Sequence, residues 1–159
     1  MWRTHDLAGI RQLSPADRRL LAEAMFWLGT ARSATLAIPF RWTIRLFALR
    51  PGESAPPVDL LSLAAVQRIG WALRVSAARS LWQSTCLTQA LAGICMLRRR
   101  RIPATLTMGV AKTAGEPGRF AAHAWLTCNE VILTGADSHE RFNVIAKYTV
   151  VPPYRRPPA

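Results

Sequence analysis

Cysteine is scarce in this chain. Only Cys86, Cys95 and Cys128 occur in 159 residues, and no two of them share a C-x-x-C spacing. An odd count without that spacing argues against a disulfide framework and against structural zinc, so no metal site is expected. Long apolar runs are also missing. The longest, Leu20 to Phe40, is interrupted by Glu23 and Arg32 and closes at Pro39, which is too polar for a membrane span. The first residues, Met-Trp-Arg-Thr-His-Asp, lack the charged-then-apolar design of a signal peptide. The expected location is therefore the cytoplasm. Acidic residues are few, with 9 Asp+Glu against 21 Lys+Arg and a net charge of +12. Such a surplus attracts acidic partners. A nucleic-acid binder, however, should carry a recognition module or a basic patch with exposed aromatics, and no such signature, zinc spacing or Gly-rich phosphate loop is present. Neither a nucleic-acid partner nor a cofactor is expected.

What is present suits a globular domain, since half the residues are hydrophobic. Ser14-Pro15-Ala16-Asp17 opens a helix predicted to run from Pro15 to about Ala37, with Leu20, Leu21, Ala24, Met25 and Leu28 on one face. Arg41 to Leu49 reads as a further short helix. Arg50 to Pro57, with three prolines and a glycine, reads as a linker. Asp59 then caps a helix to about Ala78. Another helix carries Cys86 and ends in Arg98-Arg99-Arg100-Arg101, a run that reads as a solvated end complementing the helix dipole. From Ile102 the period changes. Thr105 to Lys112 reads as a strand and 113–119 as a loop. Phe120 to Cys128 alternates, with Phe120, Ala122, Ala124 and Leu126 on one face and His123, Trp125 and Thr127 on the other. Asn129-Glu130 is a hairpin tip and Val131 to Thr134 the returning strand. The expected class is α+β: a helical N-terminal half, then a Cys-bearing helix packed on a small antiparallel sheet. The expected division is a helical subdomain over 1–50 that can dock a partner, a core over 58–150, and a Pro-rich tail over 151–159.

Ser84 or Thr85 is a suitable N-cap, which sets Cys86 in the first turn of its helix. The free N–H groups there favour an anion, and the thiolate is the nucleophilic form of cysteine. The plainer reading is a small core residue. A nucleophilic thiol also needs an imidazole, and the imidazole needs a third group to fix its tautomer. His123, flanked by Ala122 and Ala124, is the candidate base, and Asp137 the candidate orienter. The register decides Asp137. With a two-residue turn, Cys128 pairs with Val131 and His123 faces Ala136. An odd loop, or a bulge at Gly135, sets Asp137 opposite His123. Gln83 is a candidate oxyanion donor beside the Cys86 N–H, and Trp82 and Trp125 are candidate cleft walls. Cys95 and Cys128 read as packing.

Cys86 at a helix start, Ala90, the run Leu97 to Ala104, Gly109-Val110 and His123-Ala124-Trp125 together resemble the transglutaminase-like cysteine protease superfamily, with its papain-like core. The short length, helical N-terminal half and closing Gly135-Ala136-Asp137 most resemble the leader peptidases of lasso peptide biosynthesis, in the form of a stand-alone protease half. One departure is Arg101, where that family usually has Gly at the helix C-cap. The resemblance implies a Cys86/His123/Asp137 peptidase that cuts the leader from a ribosomally made precursor peptide. A separate asparagine-synthetase-like cyclase then closes the macrolactam on the freed amine. It further implies that a small PqqD-like protein, supplied in trans, recognises the leader. Two rivals stand beside it: a catalytically silent peptide-binding module, and a basic nucleic-acid-binding protein.

Overall fold

Ser14 fixes the start of the first helix, its hydroxyl accepting from Asp17 N–H at 3.1 Å while Pro15 occupies the first helical position. In the computed structural model, which describes residues 13–113, 118–137 and 139–150, helix α1 spans Pro15–Ala37 and buries Leu20, Ala24, Leu28 and Ala31. Helix α2 is Phe40–Leu46, ending three residues before the expected Leu49. Ala48 there turns to φ +49°, and the Leu49 N–H returns to the Ile44 carbonyl at 2.9 Å. Strand β1 is only Arg50–Pro51. Asp59 caps helix α3, Leu60–Arg79, by accepting from Ser62 N–H at 2.7 Å. Helix α4, Cys86–Arg99, is followed by β2 (Ala104–Lys112), β3 (Phe120–Cys128), β4 (Val131–Thr134), a 3₁₀ turn (His139–Arg141) and β5 (Asn143–Val150). The fold class is as expected; β1, the 3₁₀ turn and β5 are elements the sequence reading did not include. The expected tail over 151–159, and part of the loop over 113–119, lie outside the described residues.

The arginines that end α4 are exposed, as expected of a solvated terminus, and several of them are also tethered. Arg101 takes φ +57°, with N–H bonds from Arg101 to the Arg98 carbonyl and from Ile102 to the Leu97 carbonyl, both at 3.0 Å. That pair of bonds closes the helix, and the apolar contact expected of such a cap is available between the buried Leu97 and Ile102. The neighbouring arginines are tethered. Arg98 donates to the Phe47 carbonyl at 3.1 Å, and Arg99 and Arg100 both reach Glu23 on α1. The run thus fastens the Cys86 helix to the N-terminal helices, which leaves less of it for a nucleic-acid surface.

One buried cluster runs through all the layers, from Leu20 and Leu28 through Val66, Leu73 and Ile94 to Leu106, Leu126 and Val150. Helix α4 closes on β3 at Gly93, where an added Cβ would meet Leu126 Cδ2 at 2.7 Å and Leu73 Cδ1 at 3.2 Å. The sheet is antiparallel, in the order β1-β5-β2-β3-β4. Its pleat directs Ala124 and Leu126 to the helices and sends Thr105, Thr107, Gly109, His123 and Trp125 to the other face. Two segments meet that second face. The stretch read as a linker is stitched down, with Ala55 N–H to Thr105 Oγ1 at 2.9 Å and Val58 N–H to Asn129 Oδ1 at 3.0 Å. The connection from β4 to β5 crosses over it through His139 and Phe142.

Candidate active site

Thr85 is the N-cap of α4, its hydroxyl accepting from Thr88 N–H at 3.3 Å, so Cys86 is the first helical residue. The segment before it is held by side chains. Ser80 Oγ contacts the Ala77 carbonyl at 2.8 Å, the Trp82 carbonyl at 2.7 Å and Ser84 Oγ at 3.1 Å. Gln89 Nε2 donates to the Ser84 carbonyl at 3.1 Å. The strand of bonds fixes where α4 begins and hence where the half-buried Cys86 thiol sits. Gln89 and Ser80 were not among the residues expected to matter. Gln83, the expected oxyanion donor, is exposed. Trp82 packs inward against Gly29, whose added Cβ would lie 3.8 Å from the indole ring, and its Nε1–H is buried without an acceptor among the described residues.

His123 occupies the middle of β3, opposite Gly109. Its ring stacks against Phe142, with centroids 4.9 Å apart at 29°, and less closely on Trp125, 5.9 Å at 26°. Nε2 lies 2.9 Å from the Gly135 carbonyl oxygen. Trp125 is buried and approached by His139, with ring centroids 5.9 Å apart, so it acts as the floor of this aromatic cluster.

The register at the hairpin combines both of the possibilities weighed from the sequence. Cys128 pairs with Val131 and Thr127 with Ile132, as a two-residue turn requires. The register then shifts, so that Leu126 pairs with Thr134. The extra residue falls before Thr134 rather than at Gly135. Strand β4 stops at Thr134, and Asp137 stands exposed in the following turn. Among the described residues no hydrogen bond or ion pair reaches the Asp137 carboxylate. The partner of His123 is the Gly135 carbonyl, two residues before the expected acid.

The structure therefore brings together His123, Trp125, Gly135, His139 and Phe142, and sets Cys86 at the head of the helix that packs on the same strand. Among the described residues no hydrogen bond joins the Cys86 thiol to His123. Beyond Thr134 the outer edge of β3 has no strand partner, and His123 turns its Nε2 toward that edge. Gly109, named from sequence only as part of a motif, is paired with the strand histidine, where a glycine marks a close approach. Phe142 and His139 carried no such signal, because their role depends on the crossover.

The other thiols are in different surroundings. Burial pushes Cys95 up to about 11, against the opposing charge of Arg98, and burial also raises Cys128. Neither is suited to act as a nucleophile near neutrality. Among the described residues no three of His, Cys, Asp and Glu are grouped as metal ligands, and no helix is long and apolar enough to cross a membrane.

No curated protein and no solved structure matches the chain significantly. A family model does match, over residues 34–147, and that span contains Cys86, His123, the Gly135 turn and four of the five strands in full. It is the model of the transglutaminase-like superfamily, and since it covers well over half of the sequence, the chain belongs to that superfamily.

Proposed function

We propose that this protein is a cysteine peptidase that removes the leader from a ribosomally made lasso peptide precursor, with Cys86 as nucleophile and His123 as base. The observation that carries the reading is the position of Cys86 as the first residue of a helix within the transglutaminase-like region. Backbone N–H groups at that end are aimed at developing negative charge. The Cys86 sulfur attacks the scissile carbonyl, and the Cys86 N–H is placed to receive the resulting oxyanion. His123 takes the thiol proton and passes it to the leaving amine. Water, deprotonated by His123, then hydrolyses the thioester and releases the leader's new carboxylate.

The leader-peptidase assignment draws further support from the exposed Phe26, Leu36, Trp42 and Leu46 on the N-terminal helices. Apolar side chains left in solvent on two adjoining helices suit a protein partner. On this reading the partner is the PqqD-like protein that presents the leader, and a separate cyclase consumes the product. The test is incubation of precursor with wild-type protein or Cys86→Ala, with and without the PqqD-like partner, followed by mass measurement. Wild type should release leader and core, and Cys86→Ala should not. Cleavage retained in Cys86→Ala would overturn the reading.

That no hydrogen bond joins Cys86 to His123 among the described residues favours one alternative, a silent transglutaminase-like module that only binds peptide. It requires that neither wild type nor Cys86→Ala cleaves, while both bind precursor equally.

A further inference from the structure

We propose that the unpaired edge of β3 over Phe120 to Ala122 is where the substrate peptide binds, added to the sheet as an extended strand that brings its scissile carbonyl to Cys86. The proposal rests on the peptidase reading for the identity of the peptide, while the edge is a property of the backbone. Thr113 N–H donates to the Arg119 carbonyl at 2.9 Å, so residue 119 turns its main chain toward β2. Residues of an antiparallel ladder alternate between the two sides. Ala121 and His123 therefore bond β2, and Phe120 and Ala122 aim their N–H and C=O groups away from it. Further along, Leu126 and Cys128 use that same side to pair with Thr134 and Val131. Between the two stretches lies Gly135, at φ +74°, so close to the edge that an added Cβ would overlap the Ala124 carbonyl oxygen. Its left-handed turn takes the chain off the line of β4. Among the described residues no hydrogen bond reaches the outer groups of Phe120 or Ala122.

This edge lies at the head of the Cys86 helix. Only Arg100 to Pro103 join α4 to β2, so α4 runs back along β2 and in the direction of β3. It meets β3 where Gly93 closes on Leu126. From Gly93 back to Cys86 is two helical turns, roughly 10 Å, a rise that a strand covers in about three residues. The thiol is thereby set over the first half of β3. Phe120 and Ala122 share the helix-facing side of the sheet with Ala124 and Leu126, yet Phe120 is 62% exposed and Ala122 is exposed too. Helix α4 does not extend far enough to cover them. An added strand gains main-chain bonds whatever its sequence, and its alternate side chains meet the sheet's own. Phe120 offers one of them an apolar contact, and the small Ala122 leaves room beside the thiol. Other edge groups are engaged, with Arg74 donating to the Leu133 carbonyl on β4 at 3.4 Å and Gly52 N–H to the Lys147 carbonyl on β5 at 3.2 Å. The exposed Val144 and Ile145 on β5 lie two strands away from β3.

The experiment is residue-resolved hydrogen exchange by NMR on the full Cys86→Ala chain, with and without saturating precursor. The substitution removes the proposed nucleophile, so the complex persists. The Phe120 and Ala122 amides should exchange at least about tenfold more slowly with precursor, as newly bonded edge amides do. Those of Ala121 and His123, bonded to β2 in both states, should not change, nor should those of Val144 and Ile145. Unchanged exchange at Phe120 and Ala122 overturns the proposal, whether or not wild type cleaves. Precursors N-methylated at single backbone amides around the cut give the second readout and leave the protein untouched. A strand bonds through every other residue, so cleavage by wild type should fall about tenfold or more at alternate positions and stay within about twofold between them. A loss without that alternation, or no loss, rejects the edge as the binding site and leaves the peptidase reading intact. Cleavage by Cys86→Ala would reject the peptidase reading, and the exchange pattern, which needs binding alone, would still decide the edge.

Discussion

Arg100, at the end of the Cys86 helix, forks onto both oxygens of Glu23 on α1, with Nη1 to Oε1 at 3.0 Å and Nη2 to Oε2 at 2.7 Å. Arg99 adds a third contact to the same carboxylate at 3.2 Å. Bidentate pairs of this kind have directional strength that scattered surface pairs lack. The Arg100 hydrogen bond holds the Glu23 carboxyl below its ordinary 4.5, against the upward push of burial.

A carboxyl depressed in the folded state stabilises the fold above its unfolded value and loses that contribution as pH falls through its folded value. Thermal stability of wild type should therefore decline as pH drops below about 4.5. Glu23→Gln should cost about 1 kcal/mol at pH 7, the magnitude of a partly exposed pair, and its melting temperature should fall less steeply in acid. Asp17 and Asp59, depressed mainly by hydrogen bonds at their helix N-termini, retain part of the slope. Equal slopes for wild type and Glu23→Gln would show that the fork carries no linkage.

Arg101 occupies a left-handed conformation that glycine adopts freely and other L-residues adopt at a cost of roughly 1–2 kcal/mol. Arg101 makes no ion pair among the described residues. Arg101→Gly should therefore stabilise the protein by about 1 kcal/mol, part of the gain being lost to the freer unfolded chain. For a domain of this size that is a rise of roughly 2–4 °C in melting temperature. Calorimetry decides, and a fall would mean that the Arg101 side chain has a role its surroundings do not show.

Trp82 packs its indole on Gly29 with an unanswered buried N–H. Removing a buried donor that has no acceptor relieves roughly 1–3 kcal/mol of desolvation, while the smaller phenyl ring gives up packing of similar size. Trp82→Phe should thus lie within about 1 kcal/mol of wild type in denaturant unfolding. A loss several times larger would reveal an acceptor for the indole.

Iodoacetamide at pH 7 should modify Cys86 well before Cys95 or Cys128, as read by mass spectrometry of peptides. Burial keeps Cys95, pushed up to about 11, and Cys128 in the unreactive thiol form at that pH. Labelling of Cys95 ahead of Cys86 would contradict the burial described for it.

Much of this arrangement was written in local signals. Ser14, Asp59 and Thr85 cap their helices because a short oxygen-bearing side chain can satisfy free N–H groups, a rule that needs no tertiary knowledge. The alternation of Phe120 to Cys128 likewise told which residues share the His123 face. What escaped the sequence was non-local. The arginine run has the composition of a solvated helix end, and only the approach of α1 and of the end of α2 supplies Glu23 and Phe47 as its partners. Asp137 was the first acid beyond the β3–β4 hairpin, but a register shift and a left-handed glycine set the Gly135 carbonyl beside His123. A backbone acceptor has no signature in residue type.

The strand order also sets a schedule for biosynthesis. Strand β2 lies between β3, its neighbour in sequence, and β5, which ends at Val150. The hairpin of β2 and β3 can form as soon as both leave the ribosome, but one edge of β2 stays open until β5 has emerged. Until then Phe142 has no β5 to anchor it over His123. The nascent chain therefore carries the Cys86 thiol long before the His123 ring is enclosed, and the aromatic cluster is complete only after translation has passed β5.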